Sequence, residues 1–246
     1  MENTRTKTTR NSLILLLTAA IWGMAFVSQS KGMDYMHPFT FNGVRSLIGA
    51  ASILVYILIS RKIAGDKAAP LDWKLNVKAG LLCGIFLTIA STLQQFGIKY
   101  TSVGKAGFIT TLYIIFVPMF GIFLKKKVAP VVWAAAVMAA VGMYLLCMTE
   151  SLRLGAGDIM VFLCAIAFAI QIMTVDHYAA RIDGAVVSCI QFTVCGVVCC
   201  IGALIWGQPT FGQLQEGLGA LLYAGVLSCG VGYTLQIVGQ KGLNPG

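Results

Sequence analysis

Charged residues are scarce in this sequence, and their scarcity argues against a soluble protein. Asp, Glu, Lys and Arg make up 11% of the 246 residues, and apolar residues make up 58%. Ordinary soluble domains carry roughly 25% charged residues. A soluble domain of this size could not keep so much apolar surface away from water. We therefore predict an all-α polytopic membrane protein whose main partner is the lipid bilayer, because isolated strands cannot satisfy their backbone groups in lipid.

Catalytic and metal-binding groups are also few. The sequence holds only two histidines, His37 and His177, both near the ends of predicted spans, and it contains no HExxH motif. Catalysis inside a membrane would need paired carboxylates, a Ser–His arrangement or a metal cluster. The sequence also has no phosphate-binding P-loop, which disfavours direct use of ATP. We expect no enzyme activity, no cofactor and no metal site, and we interpret the eight cysteines as small apolar packing residues.

The net charge of +9 does not indicate a nucleic-acid partner. The basic residues lie between apolar runs and form no stripe with interleaved aromatic residues. The apolar runs are each close to the length of about 20 residues that crosses a bilayer. Eight spans are predicted, at residues 12–30, 38–60, 77–98, 104–124, 130–149, 157–177, 184–206 and 217–240.

Lys and Arg residues predict the orientation of these spans. With the N-terminus in the cytoplasm, 13 of the 18 basic residues fall in cytoplasmic segments and four in outer segments, and Arg45 lies within a span. Cytoplasmic loops are enriched in Lys and Arg, so this bias supports both the span count and the orientation. We predict a multi-pass protein of the cell (inner) membrane. The sequence leaves the oligomeric state open, a homo-oligomer included.

Two short segments repeat along the chain. Thr92–Lys99 ends the third predicted span and Thr234–Lys241 ends the eighth, and five of the eight positions are identical. A repeat unit of five spans is odd, so the second copy would lie upside down in the membrane. Inverted repeats are typical of secondary transporters. We predict two domains, a first repeat at 12–149 and an incomplete second repeat at 157–246.

The second repeat is predicted to lack its last two spans. Its residues Asn244–Gly246 align with Ser102–Gly104, which come just before the fourth span. About eight helices of an expected ten would then be present. We interpret the chain as a fragment missing a ninth and a tenth span, and a natural eight-span protein is the alternative.

Several stretches resemble the drug/metabolite transporter superfamily, EamA type. Ala20–Val27 resembles that family's first-helix signature, and Pro38–Arg45 resembles its second-helix entry. Gly104–Tyr113, continuing through Val117–Pro118, is similar to its fourth helix, and Gly157–Asp158 resembles the start of its second repeat. The order and spacing of these motifs are together more specific than any one of them.

The resemblance implies ten helices in two inverted five-helix repeats around a central cavity that opens alternately to each side. It also implies a secondary transporter, an exporter or permease, of small metabolites such as amino acids. The alternative from the residues alone is a membrane scaffold or assembly protein that transports nothing. A dry bundle without a cavity would favour that alternative.

A transporter needs polar side chains along a wet path, because polar groups that face lipid are costly. Arg45 is the one full charge within a predicted span, and Asn42 shares its helix face. Arg45 is either an anion contact or a structural residue that bonds helix ends or reaches outward. The amides Gln94, Gln95, Gln171, Gln191 and Gln236 are either substrate contacts or interhelical hydrogen-bonding groups.

Aromatic residues are candidates for the cavity wall. They are Trp22, Phe26, Tyr113 and Tyr233, which could stack on an apolar or cationic ligand or simply pack. Pro118 lies inside the fourth span and should bend it, either as a hinge or as a static kink.

Carboxylates are absent from the centres of the predicted spans. Asp158 and Asp176 lie at the ends of the sixth span, and Asp183 lies in a loop. Exchange of protons for organic cations usually uses a buried carboxylate, so the sequence disfavours that mechanism. Asp176 with His177 is either a gate or proton site or, in our preferred interpretation, part of the cytoplasmic surface.

Overall fold

The described part of the chain is helical. A computed structural model describes residues 2–65, 70–123, 130–147 and 155–240. Two π-helical segments, Ala203–Gly207 and Tyr223–Gly232, interrupt the later α-helices. The α-helices are α1 (Glu2–Gly32), α2 (Pro38–Ala64), α3 (Trp73–Tyr100), α4 (Val103–Thr111), α5 (Tyr113–Phe123), α6 (Pro130–Cys147), α7 (Ala156–Tyr178), α8 (Gly184–Gly202), α9 (Phe211–Glu216), α10 (Leu218–Leu222) and α11 (Tyr233–Gln240).

The predicted all-helical membrane fold is confirmed. Seven helical segments of the described residues are long and apolar enough to cross a bilayer, and they match predicted spans one to four and six to eight in order. The predicted fifth span, 130–149, coincides with α6, an 18-residue helix that is not one of these seven. The predicted end of that span, residues 148 and 149, lies outside the described residues.

The helices begin at residues that satisfy free backbone N–H groups. His37 precedes Pro38, the first residue of α2, and its imidazole accepts a hydrogen bond from the Phe39 N–H at 3.3 Å. Asp72 accepts from the Leu75 N–H at the start of α3, at 3.0 Å. Such caps fix where each span begins, because the first turn of a helix has no internal acceptors for its N–H groups.

The fourth span is broken at Leu112 rather than at its proline. Leu112 separates α4 from α5, and its N–H bonds to the Ile109 carbonyl at 3.2 Å, three residues back. Pro118 lies buried within α5, which continues on both sides of it. A tighter i to i−3 turn therefore redirects the chain before the proline is reached. Whether either residue acts as a hinge stays a prediction.

Close packing of glycines sets the main helix contacts. Helix α3 packs along α7 and α8, and α2 packs along α8 and the segment 223–232. A Cβ atom added at Gly97 would lie 2.9 Å from the Gly157 carbonyl oxygen, and one added at Gly84 would lie 2.8 Å from the Val194 Cβ. Glycine lets helix backbones approach closely where lipid gives no hydrophobic drive for association.

Large apolar side chains on the outer surface suit a lipid environment. Leu16, Leu58 and Leu204 are 67%, 61% and 73% exposed. Small residues such as Ala79 and Ala165 are instead completely buried between the helices. This is the reverse of a water-soluble surface, where such leucines would be costly to expose together.

The bundle has two ends, each held by polar contacts. The His37 end contains residues 33–37, 101–102 and 155, and there Asp158 accepts a hydrogen bond from Thr101 and pairs with Lys105 at 3.8 Å. The Asn76 end contains residues 70–76 and 179–183, and there the Asp183 N–H donates to the Asn76 side-chain oxygen at 2.9 Å. Both ends tie neighbouring helices together across the loops.

Candidate functional site

A buried polar cluster lies where α2, α3 and α8 meet. The Asn42 amide donates to Ser91 Oγ at 3.0 Å and approaches the thiols of Cys199 and Cys195 at 3.2 and 3.8 Å. Ser91 Oγ lies 3.3 Å from Cys195 Sγ. Polar groups buried in a membrane protein are costly unless they bond to one another or line a wet path. This polar cluster is the centre of the candidate site.

Arg45 is the charged member of the polar cluster and is only 6% exposed. Its Nε donates to Asn42 Oδ1 at 3.0 Å, and its guanidinium carbon lies 5.8 Å from the centre of the Phe41 ring. No carboxylate among the described residues lies within ion-pair distance of it. The predicted shared face of Arg45 and Asn42 thus forms a direct contact, and no described carboxylate pairs with the guanidinium.

Arg45 belongs to the part of the fold where α2 packs on α8 and on the segment 223–232. A Cβ atom added at Gly225 would lie 3.0 Å from the Arg45 carbonyl oxygen. The side-chain contacts of Arg45 are with Asn42 and Phe41 of its own helix.

Four of the predicted amides are buried. Gln171 of α7 donates to Gln191 of α8 at 2.9 Å, which joins two predicted substrate residues directly. Gln94 donates to Thr110 of α4 at 3.3 Å. Gln95 donates to the Gln29 backbone carbonyl at 3.1 Å, and its own side-chain oxygen is enclosed with no hydrogen-bond partner among the described residues.

Aromatic residues form one wall beside the polar cluster. Trp22 lies 5.2 Å from Tyr233, and Tyr233 meets Phe192 edge to face at 4.7 Å, measured between ring centres. The Trp22 indole N–H donates to the Ser228 carbonyl at 3.2 Å. That carbonyl belongs to a π-helical segment, where backbone bonding is irregular and an extra donor is useful.

The other predicted site residues lie apart from the polar cluster. Phe26 packs against the apolar group formed by Ile98 and Ile109. Tyr113 is half-buried at the first position of α5, directly after the break at Leu112. Gln236 is half-buried on α11. The predicted cavity residues are thus spread over a length of the bundle.

Sequence reasoning missed the small polar partners in the site. Ser46, Ser91 and Cys195 form part of the polar cluster, and Gln29 and Thr110 contact the predicted amides. Serine, threonine and cysteine are common packing residues in membrane helices, so their types gave no signal. Gln29 did carry a signal in the sequence, because it is an amide within an apolar span, like the predicted glutamines.

A separate groove of about 500 Å³ opens near the Asn76 end. Its wall combines α3, α5 and α7, and it is mostly apolar. None of the predicted substrate residues lines it. The lining residues are Leu82, Phe120, Ile170, Met173, Thr174, His177 and Tyr178.

His37 is a titratable group at the mouth of the bundle, in a loop between two spans. Its ring lies 5.6 Å from Phe96 and 5.7 Å from Phe39. Burial lowers the pKa of His37 below its ordinary value, and the positive charge of Lys99 lowers this pKa further. Both effects disfavour the protonated imidazole in the folded protein.

Acidification is therefore expected to destabilise the protein through His37. Because the pKa is lower in the folded state, the unfolded chain binds more protons below about pH 6.5, and stability falls with the pH. The midpoint of thermal unfolding should drop between pH 7.5 and pH 5.5, and His37→Gln should drop less. His177→Gln, at the opposite end, is the control, and equal pH dependence in all three proteins would refute the role of His37.

The described residues form a bundle of membrane-length helices with a charged, hydrogen-bonded polar cluster. A sequence model of the EamA-like transporter family matches residues 10–148 and again residues 155–246. The chain belongs to the EamA-like transporter family. This places it among membrane transporters and not among enzymes, as the sequence predicted.

Curated relatives carry the same general description. An uncharacterized transporter of Archaeoglobus fulgidus is 31% identical over 171 residues, covering 67% of this chain and 48% of the relative. The chain thus spans about half the length of this relative. The uncharacterized transporter YwfM of Bacillus subtilis is 26% identical, covering 94% of this EamA-like chain and 77% of YwfM.

A solved structure shares the fold of this EamA-like chain. It is titled "Crystal structure of protein", and it superposes with a TM-score of 0.64 at 18% identity. The match covers 94% of this chain and 79% of the other. The shared fold extends over nearly all of the seven membrane-length segments.

Proposed function

We propose that this EamA-like chain is a secondary transporter of small metabolites, an exporter or permease that works by alternating access through a chamber between its two repeats. The observation that carries the proposal is the buried polar cluster with Arg45 at its centre. Ionisable residues within membrane spans are expensive, and they mark substrate or ion paths. The buried amides Gln94, Gln171 and Gln191 extend the polar lining along the bundle.

The pairing of the helices supports an inverted repeat. Helix α3, the third span of the first repeat, packs on α7 and α8, the first two spans of the second repeat. The segment from α10 to α11, the third span of the second repeat, packs on α1 and α2, the first two spans of the first repeat. In each repeat, therefore, the third span packs on the first two spans of the other repeat. The two matches of the family sequence model, at 10–148 and 155–246, fit the proposed domains 12–149 and 157–246.

We place the Asn76 end in the cytoplasm and the His37 end outside, in the cell membrane. Arg61, Lys74, Lys78 and Arg181 belong to the segments at the Asn76 end. Cytoplasmic segments carry the excess of Lys and Arg in most membrane proteins. This orientation also puts the N-terminus in the cytoplasm.

Transport is expected to require the aromatic wall and the amide lining together. Trp22→Ala removes the ring that packs on Tyr233, and Gln94→Ala removes the amide bonded to Thr110. In vesicles containing the purified chain, the double variant should raise the KM for a labelled metabolite by about tenfold, which corresponds to about 1.4 kcal/mol of lost binding.

A thermal-shift screen of metabolites supplies the labelled compound, because a ligand of the folded state raises the unfolding midpoint. Trp73→Ala, an exposed tryptophan at the start of α3, is the matched control. Unchanged uptake in the double variant would show that these residues do not form the path. Vesicles that transport no member of the panel would favour the alternative, a membrane scaffold or assembly protein.

A further inference from the structure

We infer that the substrate is a small carboxylate and that its negative charge is the missing counter-ion of Arg45. This inference rests on the proposed transport function and adds the chemical class of the solute. The observation behind it is a guanidinium that is nine-tenths buried and has no acidic partner among the described residues. A buried charge without a partner is costly, so a ligand of opposite charge is strongly favoured there.

The hydrogen bonds of Arg45 leave its terminal nitrogens available. Nε is held by Asn42, and the described residues provide no acceptor for the two Nη atoms. Asn42 thus fixes the plane of the guanidinium while its outer edge stays free. A planar pair of N–H donors matches the two oxygens of a carboxylate.

The other members of the polar cluster around Arg45 include no carboxylate. Ser46, Ser91, Cys195 and Cys199 offer hydroxyls and thiols, and Asn42 offers an amide. Two acidic residues at the ends of the bundle have cationic partners, since Asp158 pairs with Lys105 and Asp183 with Arg61. The charge of Arg45 is therefore unlike the paired charges at the two ends of the bundle. An anion bound beside Arg45 would balance this charge.

The body of the carboxylate is expected to be apolar. Tyr233 lies between the rings of Trp22 and Phe192. The Phe41 ring covers one side of the guanidinium. An apolar skeleton would pack on these rings while its carboxylate meets the Nη atoms.

Matched pairs of acids and primary amides test this inference, because each pair differs mainly in charge. The probes are benzoate with benzamide, phenylacetate with phenylacetamide, isobutyrate with isobutyramide, and lactate with lactamide. Binding is measured as the shift of the thermal unfolding midpoint of the purified chain. We expect at least one acid to bind about tenfold more tightly than its amide, since hydrogen bonds to charged groups are the stronger ones.

Asn42→Asp is the decisive variant, because it places a carboxylate where Asn42 Oδ1 already lies 3.0 Å from Arg45 Nε. Serine and thiol groups can reverse their hydrogen bonds to suit it. The variant should fold, keep its unfolding midpoint without ligand, and lose about tenfold in affinity for the acid. Asn76→Asp, the same change at the other end of the bundle, should bind the acid as the wild type does.

Equal binding of acids and amides, binding of none of the acids, or full acid binding by Asn42→Asp would overturn the inference. The comparison of acids with amides uses the wild type, so it decides the question even if Asn42→Asp does not fold. Uptake of an amide or an amine by vesicles that contain this protein would support the transport function and contradict a carboxylate substrate. Uptake of no solute would instead contradict the transport function itself.

Discussion

Gly157→Val is expected to leave little folded protein after extraction in mild detergent. A Cβ atom at position 157 would lie 2.8 Å from the Gly97 carbonyl oxygen and 2.8 Å from the Tyr100 carbonyl carbon. Both obstacles are backbone atoms, which cannot move aside as a flexible side chain can. Overpacking of this kind costs about 1–3 kcal/mol and occasionally more, which is a large share of the stability of most proteins.

The loss should be visible as a smaller monodisperse peak in size-exclusion chromatography and a lower unfolding midpoint. Gly23→Val is the matched control, because a Cβ atom at Gly23 would meet nothing within 4 Å. It introduces the same side chain on the lipid-facing side of α1. Equal midpoints for the two variants would mean that α3 and α7 do not need to meet at Gly157.

The consequence for the site is direct. Helix α3 carries Gln94 and Gln95, α7 carries Gln171, and the contact between Gly97 and Gly157 sets how these helices lie against each other. A displaced α7 would separate Gln171 from Gln191 of α8. Any partly folded Gly157→Val protein should therefore also bind ligand more weakly than the wild type.

A cross-link between α1 and α3 is expected to stop transport. Helix α3 packs closely on α7 and α8, whereas α1 touches α3 and α4 at few positions. Among these few contacts, the Gln95 amide donates to the Gln29 carbonyl. Because α1 and α3 touch at few positions, a chamber can open between them with little loss of packing.

Gln29→Cys with Gln95→Cys would place two thiols across this thin contact. A short bifunctional thiol reagent should reduce uptake to the level of empty vesicles, and a reducing agent that cleaves the bridge should restore it. The reagent should leave the uptake of each single variant at the level measured before treatment. The measurement is uptake of the ligand found by the thermal-shift screen.

The matched control is the pair Thr101→Cys with Asp158→Cys. Thr101 directly follows α3, Asp158 lies in α7, and the two side chains already form a hydrogen bond. The cross-link there replaces a contact that holds neighbouring helices together, so uptake should continue. If this pair stops transport and the pair across α1 and α3 does not, the moving boundary lies between α3 and α7.

The sequence determined much of the membrane fold. Lipid forces backbone groups to bond within a segment, so an apolar run of about 20 residues has one stable form, a helix. The positions of seven predicted spans follow from that rule. The motifs around Trp22, Pro38–Arg45 and Gly104–Tyr113 were enough to identify the family, which the family match confirms. The spacing of Asn42 and Arg45 also predicted their common face, because residues three apart on a helix are neighbours.

The contacts between helices were decided only by the tertiary structure. The sequence singled out Gln171 and Gln191 separately, but their direct bond depends on how α7 crosses α8. It drew attention to Pro118, whereas the break lies at Leu112. The thiols and hydroxyls around Asn42 gave no sequence signal, because small polar residues also serve as ordinary packing.

The physical reason is the range of the forces involved. Each apolar segment forms a helix because lipid offers no hydrogen-bond partners to its backbone. This is a local effect, so the hydropathy of the segment predicts it. The partner of each buried polar group is chosen by packing between segments far apart in sequence, such as Asn42 and Cys199. Hydropathy predicted that Arg45 lies within a span, and only the assembled helices showed that no described carboxylate pairs with it.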